Sequence, residues 1–155
     1  MRLKRVNCIS FTCPFEVEIP QDNQFKRMFE GMTEFILEHS KKIDLGLNGI
    51  IHFQFSDIDS RSQRDDIHQG SLEPFFISGD YVLKNGFVNV PYSYISFVNL
   101  QPKDQRVYLL KTFQESIHKI APLVEGSDYD QNSFDMACDL FLQNDCKITT
   151  KIKWN

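Results

Sequence analysis

The sequence lacks the marks of a membrane-spanning, exported or cofactor-dependent protein. No stretch approaches the roughly 18 consecutive apolar residues of a membrane-spanning helix. The N-terminal stretch MRLKRVNCISFTCPF is basic but then alternates apolar and polar residues, so it has no continuous apolar run of the signal-peptide kind. The expectation is an unexported, cytoplasmic protein. Cys8, Cys13, Cys138 and Cys146 have no C-x-x-C spacing, and in a reducing compartment they read as buried thiols and not as zinc ligands or disulfides. Asp57 and Asp59 suggest the start of a calcium loop, but the glycine and terminal glutamate of that pattern are missing. There is no glycine-rich phosphate loop, no G-x-S-x-G and no H-E-x-x-H. No cofactor, metal or catalytic constellation is therefore expected. The formal net charge of -4 also argues against direct nucleic-acid binding, which rests on clustered Lys and Arg against phosphates.

What is present suits one ordinary core. The chain has 155 residues, 41% of them hydrophobic and 25% charged, close to usual globular proportions. Its 14 phenylalanines supply bulky core material. With no repeat and no linker, residues 1–155 read as a single α+β domain.

Leu3 to Thr12 reads as a strand, and Phe15, Val17 and Ile19 alternate with Glu16 and Glu18 as a half-exposed one, with Cys13-Pro14 as a turn or bulge between them. Phe25, Met28, Phe29, Met32, Phe35, Ile36 and His39 recur at helical spacing, which predicts a helix over about Asn23 to Ile43 with Asp22 as its cap. Ile51, Phe53 and Phe55 alternate with His52 and Gln54 as another strand. Ser56 to Ser71 is polar and without period, so a long loop is expected. Asn85-Gly86 sits between apolar runs and predicts a β-hairpin, whose second arm continues through PYSYISFVNL with Pro91 favouring an edge position. Pro102 opens a helix striped by Val107, Leu110, Phe113, Ile117 and Ile120, with Pro122 near its end. Ser133 to Gln143 forms a short helix with Phe134, Ala137, Cys138 and Phe141 inward and Asp135, Asp139 and Gln143 outward. Ile148 to Trp154 alternates as a closing strand. The expected fold is a mainly antiparallel sheet of about five to six strands packed on two longer helices and one short helix.

Charge placement is the most informative functional feature. Glu125 to Asp145 holds Glu125, Asp128, Asp130, Asp135, Asp139 and Asp145 without a single Lys or Arg, whereas both terminal strands are basic. One reading makes Asp128 and Asp130 turn and capping residues and Asp135 and Asp139 the solvated side of a helix. The other makes them a steering surface for a basic protein partner. A second candidate surface combines Asp57, Asp59, Arg61, Arg64, Asp65 and Asp66 of the polar loop with Tyr81, Tyr92 and Tyr94 as aromatic anchors. An acid–base enzyme would draw on His52, His68 and His118, which fall on a strand, a loop and a helix and form no known constellation.

The run GFVNVPYSYISFVNL, a following helix and then SDYDQNSFDMACDLFL resembles the small immunity proteins of bacterial toxin–immunity pairs, as found in contact-dependent inhibition and polymorphic toxin systems. The resemblance covers roughly the C-terminal half. It implies a cytosolic protein that binds a cognate toxin domain, often a nuclease, and blocks its active site with negative charge. Immunity families differ in fold, so the resemblance assigns no interface residue by residue. Two other classes remain beside it, a small acid–base enzyme and a phage or plasmid accessory protein with a structural role.

Overall fold

The computed structural model describes residues 3–11, 22–45, 49–57, 87–123 and 127–144. In chain order the elements are β1 (Arg5–Phe11), α1 (Asp22–His39), β2 (Ile50–Asp57), β3 (Phe87–Tyr92), α2 (Tyr94–Val98), α3 (Pro102–Ile120) with a 3-10 turn at Ala121–Leu123, and α4 (Gln131–Gln143). The strands form a sheet in the order β1-β2-β3.

Both pairings are parallel, which corrects the expected mainly antiparallel sheet. Three strands are present among the described residues, not five to six, and four helices are present. Alternation along a strand encodes which side chains are buried but says nothing of strand direction. The connection carries that information: a helix between two paired strands is the crossover that parallel pairing requires, and α1 lies between β1 and β2. The expected strand at Phe15 to Ile19, the turn at Asn85-Gly86 and the closing strand at Ile148 to Trp154 lie outside the described residues, as does nearly all of the polar loop.

A second correction concerns PYSYISFVNL. The strand stops at Tyr92 and a helix begins at Tyr94. Ser93 causes the switch: its backbone is extended, and its hydroxyl accepts from the Ser96 N–H at 3.2 Å, a standard way of satisfying an orphan donor at a helix start. The Tyr94 N–H donates to Asp57 Oδ1 at 2.9 Å, so the end of β2 caps the helix that follows β3. Pro91 pairs opposite Ser56 in β3, at the edge of the described sheet, where a missing N–H is tolerated. Two boundaries also shift. Helix α1 ends at His39, short of Ile43, and α4 starts at Gln131, before Ser133.

The core lies on one face of the sheet. Val6, Cys8 and Phe11 of β1, Ile51, Phe53 and Phe55 of β2, and Val88, Val90 and Tyr92 of β3 are buried there, against Phe29 and Ile36 of α1, Phe113 and Ile117 of α3, and Phe134 and Phe141 of α4. Phe11 stacks on Phe55 with ring centres 4.3 Å apart, and Phe29 meets Phe55 edge-on at 5.2 Å. Burying each such ring contributes about 1.5–3 kcal/mol. The contact between Phe11 and Phe55 depends on an irregularity in β1. The register runs Cys8 to Phe53 and then Ser10 to Gln54, so Ile9 is the extra residue of a bulge. Without it, Phe11 would share the side of Asn7 and leave the core, because side chains alternate strictly along a regular strand. Gly49, with φ of 84°, provides the left-handed turn into β2, and its carbonyl accepts from Lys4 and Arg5, setting β2 beside β1.

The other face is polar. Asn7 and His52, Ser10 and Gln54, and Ser56 and Asn89 are bonded across neighbouring strands at 3.5, 2.7 and 2.6 Å respectively.

Candidate functional site

Residues 127–144 of the C-terminal acidic segment form α4 and its lead-in, where Asp128, Asp130 and Asp135 each have a distinct task, while Glu125 and Asp145 lie outside the described residues. Asp130 is the N-cap of α4. Its Oδ1 accepts from the Ser133 N–H at 3.0 Å, and its Oδ2 lies 3.4 Å from Lys41 Nζ. The hydrogen bond from the Ser133 N–H is the largest influence on its carboxyl; burial opposes it, and Lys41 with the Asn132 N–H adds to it, so the pKa lies below the usual range. The Ser133 hydroxyl in turn accepts from the Lys41 N–H at 2.7 Å. Asp128 joins Asp44 in an antiparallel bridge of two backbone hydrogen bonds, 2.7 and 2.8 Å, while its side chain is exposed. The end of α1 and the start of α4 are thereby clipped together.

Asp135 is half-buried at the seam between α3 and α4. One oxygen, Oδ1, accepts from Gln114 Nε2 at 2.9 Å and faces His118 Nε2 at 2.7 Å. Burial is the largest single influence on this carboxyl and pushes its pKa up. The hydrogen bonds from Gln114, His118 and Gln131, with the charge of His118, outweigh it and leave the pKa lowered. Tyr129 packs near both His118 and Phe134, with ring centres at 6.4 and 5.9 Å, and its hydroxyl is buried without a hydrogen-bond partner. Burial, then Asp135 and Cys138, raise the Tyr129 phenol well above its ordinary value. The Cys138 thiol is buried and pushed up to about 12, first by burial and then by Asp135 and Asp139. A thiol so far from its thiolate form is a packing group and not a nucleophile.

No protein-family model, curated protein or solved structure matches the chain.

Asp139 is exposed on α4, one turn from Met136, which is 70% exposed and, among the described residues, the most open of the large apolar ones. Phe134, Ala137, Cys138 and Phe141 take the buried stripe of α4, so Met136 stands out of phase with it, with Asn132 and Gln143 exposed on the same helix. The sequence carries this signal, because Met136 breaks the apolar spacing set by Phe134, Ala137, Cys138 and Phe141.

The second candidate surface is divided. Asp57 is buried beneath the start of α2, and Tyr92 is in the core with its ring edge-on to Phe11, Phe55 and Phe97. Tyr94 is half-buried, and Asp59, Arg61, Arg64, Asp65, Asp66 and Tyr81 lie outside the described residues. The histidines do not converge: His52 is on the polar face of the sheet, bonded to Asn7, and His118 belongs to the helical layer on the opposite face. His68 lies outside the described residues. Among the described residues there is no cluster of three metal-ligating side chains and no helix long and apolar enough to cross a membrane.

Proposed function

We propose that the chain is a cytoplasmic protein-binding module of the immunity type, which engages a cognate toxin domain through the outer face of α4. The observation that carries this reading is the exposure of Met136 on a helix whose other large apolar side chains are turned inward. An isolated flexible apolar residue beside a carboxylate and amides is the composition of a small contact centre, since methionine adapts to irregular partner surfaces and neighbouring polar groups fix orientation. Asp139 and Asp128, both exposed, favour a basic partner and would speed encounter with it. Asp130 and Asp135 support the face from within by fixing α4 on α1 and α3.

The test is co-purification of the tagged protein with the product of its neighbouring gene, followed by rescue of growth when that product is expressed. A complex with rescue supports the reading. Absence of both rejects it.

A second reading, a small acid–base enzyme, has one observation in its favour: the 2.7 Å contact of His118 Nε2 with Asp135, which orients an imidazole as many general bases are oriented. It requires a turnover that His118→Ala abolishes while leaving the toxin complex intact.

A further inference from the structure

We propose that Met136 is a site of reversible oxidation by peroxide, and that its sulfoxide weakens partner binding at the α4 face. The second half rests on the binding reading above. Five sulfur side chains fall among the described residues. Cys8 and Cys138 are buried, Met32 is 1% exposed, and Met28 is partly buried against the core. Met136 alone of the five is open to solvent, at 70%. Oxidation of sulfur follows access and, for thiols, thiolate character. The Cys138 thiol is deficient in both. The thioether of Met136 is therefore the described sulfur that meets a dissolved oxidant first.

The step needs one equivalent of hydrogen peroxide. The thioether sulfur gives an electron pair to one peroxide oxygen, the O–O bond breaks and an S–O bond forms. The hydrogen on the transferred oxygen leaves with the departing hydroxide as water. Sulfur loses two electrons and peroxide gains them, and methionine sulfoxide reductases reverse the change. A flexible apolar side chain becomes a polar one at the centre of the proposed contact. The fold is unaffected, because the side chain already stands in water.

The experiment treats the full chain with limiting hydrogen peroxide and maps added oxygen by peptide mass spectrometry, then measures binding to the neighbouring gene product before and after. Met136 should oxidise about tenfold faster than Met28 and Met32. The sulfoxide form and Met136→Gln should each bind about tenfold more weakly, with recovery after reductase treatment of the former and an unchanged melting curve. The complex formed by Met136→Leu should be indifferent to peroxide. Equal oxidation of Met28 or Met32 would overturn the site, and undiminished binding of the sulfoxide form would overturn the switch. No complex with the untreated protein would overturn the binding reading and the switch together, while the peptide map would still decide the site.

Discussion

At Asp135, one carboxylate oxygen serves both Gln114 and His118, and at Asp139 a similar side chain on the same helix is exposed. The two therefore separate cleanly by substitution. Asp135→Ala leaves two donors at a half-buried seam and should cost about 1–2 kcal/mol, whereas Asp139→Ala should stay within about 0.5 kcal/mol; urea midpoints distinguish them. The pH dependence follows from the direction of the shifts. The folded carboxyls of Asp135 and Asp130 lie below their ordinary values, so their contribution is present above the unfolded pKa and is lost as pH falls through the folded one. Stability should decline below the ordinary carboxylate range, and Asp135→Asn should flatten that decline. Tyr129 gives the opposite sign. Its hydroxyl is buried without a partner, so Tyr129→Phe removes an unmet donor and should raise stability by about 1 kcal/mol, read as a higher urea midpoint. A lower midpoint would mean that the hydroxyl is satisfied in solution.

Among the elements, the bulge in β1 has the largest consequence. It turns Phe11 onto the stack with Phe55, so Phe11→Ala should cost about 3–5 kcal/mol, while Ile9→Ala, at the exposed bulge residue, should cost under about 1 kcal/mol. Comparable losses at the two positions would deny the bulge. The same strand shows what a sequence can and cannot disclose. Helix α1 was legible because Phe25, Phe29, Met32 and Ile36 repeat over many turns, and α3 because Pro102 marks its start. The strand β2 was legible from Ile51, Phe53 and Phe55. Its direction is not carried by that alternation, because a period of two is the same read either way; for β1 and β2 it is carried by the helix α1 between them. Helix α2 was hidden for another reason: Tyr94 to Val98 is a short apolar run that fits strand or helix equally, and only the capping by Ser93 and Asp57 decides it.

For the whole molecule, the acidic segment was legible as composition but not as surface. Asp130 and Asp135 face neighbours that only the fold brings close, Lys41 on one side and Gln114 with His118 on the other. Asp128 and Asp139 remain exposed, and Met136, without charge, is the open apolar point between them in sequence. Asp57 and Tyr92 were candidates because polar and aromatic residues are common at interfaces, yet β2 and β3 direct both into the interior. The proposed contact face on α4 is one apolar point flanked by carboxylates, so it predicts a modest influence of salt on affinity and a large one of Met136. The most direct measurement is the affinity of the neighbouring gene product for the native chain, Met136→Lys and Asp139→Lys, with melting curves recorded for each. Binding weakened about tenfold or more by Met136→Lys, and slowed in association by Asp139→Lys, with unchanged melting, is the expected result. A complex indifferent to both substitutions would place the interface elsewhere, and no complex at all would contradict the binding role.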